Sequence, residues 1–289
     1  MALLKPRKTT PPPPTDGQME LMEHLAELRT RILRCLLYVA VGMVLTYNLF
    51  DEMFTLLQHP LQPILSKMPN AGVVITSIQQ GFLLRIQVCF LSGMAAAFPF
   101  VILELWGFIA PALTPDERKP VKFLGPFSVL LFLAGLGTAY ACLRPAYEWM
   151  AGYITDVPGM TLLQDANQYL LLTVKILLAF GVAFELPIVL LFLARVGIIS
   201  ADMMVRYWRY AAVLISASAA ILTPSNDPLT MMMMAVPMAG LYALSIGLVR
   251  AFEPKPDGSR GLSFATMLLV ALAPVGLLAA VGYWLWRGG

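Results

Sequence analysis

One carboxylate stands alone in the apolar run "AFGVAFELPIVLLFL" (179–193): Glu185, with Lys175 upstream and Arg195 downstream as its nearest charges. Facing lipid in ionised form it would cost roughly 2.5–3.5 kcal/mol or more at mid-membrane, so it is expected to face a protein or water-filled interior. Lys175 is ten residues away, about 15 Å along a helix, and out of reach. Arg85, inside a different apolar block, is the candidate counter-charge. Two readings stay open for the Glu185–Arg85 pair of intramembrane charges: an acid hydrogen-bonded between helices, or a polar patch on a concave face. Two more acids lie beside apolar blocks. In "ELMEHLAELRTRI" (20–32), Glu20, Glu23 and Glu27 recur at spacings of three and four, with Leu21, Leu25, Leu28 and Ile32 on another face. Glu27 and Arg31 stand at i,i+4 spacing, so a simple solvated ion pair is one reading. In "FIAPALTPDERK", Thr114, Pro115 and Glu117 form a capping box with proline at the first helical position. Hydrolytic chemistry has no footing: the sequence holds no HExxH, no GxSxG and no intramembrane Asp pair. Cys35, Cys89 and Cys142 fall at unrelated spacings inside apolar blocks, and His24 and His59 are far apart, so neither a disulfide framework nor a metal site nor any cofactor is expected.

The elements that must position these groups are membrane helices. Of 289 residues, 58% are hydrophobic and 13% charged, about half the charge of an ordinary soluble domain. Apolar blocks at 32–50, 80–103, 123–143, 169–193, 210–222, 229–249 and 262–286 predict an all-α polytopic protein. Fifteen of the twenty lysines and arginines fall on one side of this topology, so the positive-inside rule puts the N-terminus in the cytoplasm. Seven spans then put the C-terminus outside. The thirteen residues of block five reach only about 20 Å, and blocks five and six are expected as a short pair. Residues 1–18, with four consecutive prolines, are expected to be a disordered cytoplasmic tail; 251–261 is a cytoplasmic connector, and 262–289 is a final span with a short tail.

Four motifs in order resemble one family. "HLAELRTRIL" resembles the N-terminal signature of TatC, the multispanning receptor of the twin-arginine protein translocase. "FIAPALTPDERK" resembles that family's first cytoplasmic loop, "AFGVAFELPIVLLFL" its fourth helix, and "LTPSNDPLT" with "AVPMAGLYALS" its fifth turn and sixth helix. The resemblance covers about residues 19–250. It implies a curved, glove-shaped six-helix bundle, here with an extra C-terminal helix. It also implies a role in binding twin-arginine signal peptides at the cytoplasmic face. With the single-span partners TatA and TatB, folded proteins would then cross the inner membrane on the proton-motive force. Homo-oligomerisation within a receptor complex and contact with membrane lipids, but not nucleic acid, are implied as well. Carried over by motif, the signal-peptide-binding residues are Glu27, Glu117, Arg29, Phe108 and Pro111. Pro60 is a loop-structural residue, Asp227 is the outer-turn acid if one residue is inserted before it, and Glu185 is the helix-four acid. Carboxylates suit this task, because guanidinium pairs bidentately with them.

The chain departs from the family pattern at Thr230, where a glutamine is common, and at Ala243, where a glutamate is usual; the seventh helix is also extra. A proton- or ion-coupled secondary transporter using Glu185, Arg85 and Lys175 is the alternative. The lack of an internal repeat removes the usual inverted architecture for it.

Overall fold

The computed structural model describes residues 21–68, 70–109, 115–155, 161–222 and 228–252. Along the chain these form α1 (Leu21–Asn48), α2 (Phe50–Gln58), α3 (Gln62–Leu65), β1 (Gly72–Val74), α4 (Ile78–Ile109) and α5 (Pro115–Thr155). Then come β2 (Leu163–Asp165), α6 (Ala166–Ala183), α7 (Leu186–Arg195), α8 (Ala201–Arg206), α9 (Trp208–Leu222) and α10 (Pro228–Phe252). The protein is an all-α polytopic membrane protein. Among the described residues, four spans are long and apolar enough to cross a bilayer, or five when α1 and α2, bent by 80° at Leu49, count as one. The expected seventh span and the tail at 1–18 lie outside the described residues.

Sequence chemistry explains the helix boundaries. Asp165 caps α6 by accepting from the Gln168 amide at 3.0 Å, and Ser200 caps α8 by accepting from the Met203 amide at 3.2 Å. α5 begins on a proline, whose missing N–H costs nothing at a helix start. The fourth apolar block is two helices rather than one. Pro187 cannot donate to the Ala183 carbonyl and its ring crowds that group, so α6 ends at Ala183 and α7 restarts at Leu186, with Glu185 at the joint. The stretch that carries Glu23 and Glu27 is continuous with the first apolar block: α1 runs 28 residues without a break. Block five is short, as expected, with 15 residues in α9. Block six is not. α10 has 25 residues, about 37 Å, because the helix already begins at Pro228, a residue suited to a first helical turn.

α1 packs chiefly on α4. The approach is close where Gly42 meets Gly93, and a side chain there would collide with backbone; small residues of this kind let membrane helices touch. One core joins α4, α5, α6, α7 and α10 through Phe132, Phe184, Ile188 and Leu241. A second joins α2, α3, α4, α5 and α6 through Leu57, Ile64, Val88 and Leu170. β1 and β2 pair in parallel, Val73 opposite Gln164, a ribbon not anticipated from sequence. It clips the approach to α4 against the start of α6. There Asp165 also accepts from Gln80 Nε2 at 2.7 and 2.8 Å and from Thr76 Oγ1 at 3.1 Å. These bonds, led by those from Gln80, hold the Asp165 carboxyl below the usual carboxylate range.

Candidate functional site

At the opposite end from that ribbon, α1 and α4 cross with a polar seam between them. On α1, His24, Glu27, Arg31, Arg34 and Tyr38 recur at spacings of three and four; on α4, Phe100, Glu104, Gly107 and Phe108 do the same. The His24 ring stacks on Phe108 with centroids 4.3 Å apart. Arg31 donates to Glu27 Oε1 through Nε at 2.9 Å and through Nη2 at 2.5 Å. Its Nη1 donates to Glu104 Oε2 at 2.8 Å and to the Glu104 carbonyl at 3.2 Å. Glu104 Oε1 accepts from Tyr38 at 3.2 Å and lies 3.5 Å from Arg34 Nη1. Glu27 Oε2 is buried and, among the described residues, has no hydrogen-bond partner. The expected Glu27–Arg31 pair therefore forms. It is a half-buried pair on α1, carried across to α4 by the bonds of Arg31 to Glu104, rather than a solvated face.

Gly107 is what allows this. A Cβ there would press on the Arg31 guanidinium; without one, the planar group lies against the α4 backbone. Glu104 was missed by sequence reading. It sits at the margin of the second apolar block, and its signal was the spacing Glu104, Gly107, Phe108 on one helical face.

The other expected site residues are placed as follows. Arg29 is exposed, two residues and about 200° around α1 from Glu27, so it faces away from the seam. Glu117 is the third residue of α5, and its side chain lies outside the described part. Pro111, Asp227 and the capping Thr114 lie outside the described residues. Pro60 is buried in the turn between α2 and α3.

Glu185 and Arg85 do not come together, which corrects the pairing expected of them. The Glu185 carboxyl lies beside Ser128 of α5, which is fully buried and accepts from Trp106 Nε1 at 3.0 Å; Glu185 Oε1 is buried and has no hydrogen-bond partner among the described residues. Trp106 and Arg85 are 21 residues apart on α4, about 31 Å. Arg85 instead lies over the rings of Tyr47 and Phe50, 4.5 and 4.8 Å from their centroids, and its Nη2 donates to the Tyr47 carbonyl at 3.4 Å. The helix bend at Leu49 brings those rings beside it. Lys175 is exposed on α6. Among the described residues no ion pair joins Glu185, Arg85 and Lys175, so they form no charge relay.

An apolar groove of about 530 Å³ is lined by Met53, Leu56, Ala95, Pro99, Leu136 and Leu177 among others. Pro99 lies five residues, about 7.5 Å, from Glu104 along α4. The groove therefore starts near the polar seam and runs toward α2.

Residues 23–237 match the family model described as Sec-independent protein translocase protein (TatC). The TatC protein of Deinococcus radiodurans is 35% identical over 267 residues, covering 88% of this chain and 95% of that protein. That of Magnetococcus marinus is 35% identical over 236 residues, 81% and 85% respectively. Among solved structures, the twin-arginine translocase receptor TatC aligns with a TM-score of 0.66 at 28% identity, covering 78% of this chain and 98% of that one. The same receptor in the detergent DDM aligns with a TM-score of 0.67 at 29% identity.

Proposed function

The chain belongs to the TatC family of Sec-independent protein translocase components, and on that premise we propose that it is the receptor that binds twin-arginine signal peptides. Glu27 and Glu117 act as the acids that take the arginine pair, with Phe108 supporting the rim of the site. The observation that carries this reading is the α1–α4 seam. There a half-buried carboxylate, Glu27, already holds one guanidinium and keeps a second, buried oxygen free of partners among the described residues. A site built to hold guanidinium between carboxylates suits arginine better than lysine, whose compact ammonium lacks the planar fork that pairs two donors with one carboxylate while a third reaches the other. The apolar groove that begins close to Glu104 suits the greasy segment that follows the arginines in such a peptide.

In this reading the seam end of the bundle is cytoplasmic, consistent with the basic residues gathered there. The extra span at 262–289 places the C-terminus outside. Single-span partners of the TatA and TatB type assemble on the receptor, in more than one copy, and the proton-motive force drives transport. The polar joint at Glu185, away from any counter-charge, eases passage of a polar segment along the bundle. A photocrosslinker at Thr30, which lines the seam surface, should capture a synthetic twin-arginine peptide in membranes. The same crosslinker at Val213, exposed on α9, should not. Equal capture at both positions, or none at Thr30, would refute the assignment.

A further inference from the structure

The guanidinium that occupies Glu27 comes from the chain itself. Arg31 meets Glu27 from its own helix and Glu104 from another, and four of its hydrogen bonds go to these two residues. Gly107 leaves the space in which its plane lies. This is what an incoming arginine would require: a planar slot, acceptors on two sides and a half-buried setting. As it stands the cluster is electrically balanced, with Glu27 and Glu104 against Arg31 and Arg34. A neutral cluster has little net attraction for a dication. A second guanidinium added at Glu27 Oε2 would also lie beside Arg31 and Arg34 and be repelled by both. Replacing Arg31 like for like keeps every acceptor satisfied and avoids that repulsion.

We propose that Arg31 is an internal stand-in for a ligand arginine: it fills the Glu27–Glu104 clamp in the free protein and is displaced when the peptide binds, so that Glu104 is itself a carboxylate of the binding site. This rests on the receptor reading and adds to it a residue and a device for selectivity. Displacement requires a ligand that restores both the Nε–Nη2 fork on Glu27 and the Nη1 bond to Glu104. Arginine does so. Lysine, with one compact ammonium at the end of a flexible stem, lacks the planar fork and meets the two acids in poorer geometry. The stand-in therefore lowers absolute affinity and raises the preference for arginine over lysine.

The test uses the full chain in lipid nanodiscs. Its probes are two synthetic peptides, one with two consecutive arginines before an apolar segment and one with lysines in their place. Arg31→Gln should raise affinity for the arginine peptide about tenfold and raise it more for the lysine peptide, so that the ratio between them falls. Gly107→Ala fills the slot whichever guanidinium lies in it, and in the Arg31→Gln background should weaken the arginine peptide more than the lysine peptide; Arg31→Met, which keeps an unbranched apolar stem, decides the matter if Arg31→Gln does not fold. In the Arg31→Gln background, Glu104→Gln should weaken arginine-peptide binding at least fivefold. If Arg31→Gln and Arg31→Met weaken binding, or leave affinity and ratio unchanged, Arg31 serves only to orient Glu27 and the proposal is overturned. If the unaltered chain does not prefer arginine to lysine at all, the receptor reading beneath it is what fails.

Discussion

Gly93→Ala should loosen the α1–α4 pair on which the seam is built. A Cβ on Gly93 would lie 2.5 Å from the Met43 amide nitrogen, 2.6 Å from Met43 Cα and 2.8 Å from the Gly42 carbonyl carbon. Ordinary van der Waals contact begins near 3.4 Å, so the worst overlap is about 0.9 Å. Every colliding atom is backbone, and no rotamer change relieves it; α1 must move off α4 by about 1 Å at the crossing. The Thr46 hydroxyl donates to the Cys89 carbonyl across the same pair at 2.8 Å, and a shift of that size takes this bond beyond hydrogen-bonding range. Overpacking costs about 1–3 kcal/mol, and an interhelical hydrogen bond in a membrane averages about 0.6 kcal/mol, giving a loss of about 2–4 kcal/mol. Gly93→Leu should cost more and Thr46→Val only the smaller part. Reversible unfolding in mixed micelles, followed by tryptophan fluorescence, reads these differences. A Gly93→Ala protein within 0.5 kcal/mol of the parent would refute the close-packing argument.

Glu185→Gln should be better tolerated than Glu185→Leu in transport, because glutamine still offers Ser128 an acceptor. Leucine leaves a buried hydroxyl to find another, at a cost of up to about 1–3 kcal/mol that a bond back to its own helix partly offsets; the reverse order would contradict this. Asp165 has a depressed folded-state pKa, so its contribution to stability is present above the unfolded value and lost as pH falls through the lower, folded one. Unfolding midpoints measured from pH 5 downward should therefore drop more for the parent than for Asp165→Asn below about pH 4. Arg85→Lys should keep the charge but weaken the stacking on Tyr47 and Phe50, lowering stability by about 0.5–1 kcal/mol with no effect on peptide binding.

Long apolar blocks announced the spans, and four local motifs announced the family, because both are written in contiguous residues. The short α9 was legible from a count of apolar positions, and the start of α5 at Pro115 from a dipeptide. What escaped depended on contacts between distant segments. The Leu49 bend, which brings Tyr47 and Phe50 to Arg85, has no glycine or proline to mark it. Glu185 looked as if it needed an opposite charge; it found a serine hydroxyl on α5 instead, and the cation assigned to it lies near the other end of α4. Glu104 was overlooked because an acid at the end of an apolar block reads as a boundary. Its meaning came only when α1 was laid against α4 and Arg31 was seen to reach across. Block six was expected to be short only through its pairing with block five; its own bounds, 229–249, already covered most of α10.

Binding of a twin-arginine peptide to the full chain, compared among the parent, Glu27→Gln and Glu117→Gln, tests the receptor reading most directly. Glutamine still serves the capping box at Glu117 and nearly preserves volume at both positions, so only charge is removed. Each substitution should weaken binding by about 10- to 100-fold, corresponding to about 1.5–3 kcal/mol for a charge-assisted bond, in a protein that inserts and folds as the parent does. Parental affinity in both variants would contradict the account.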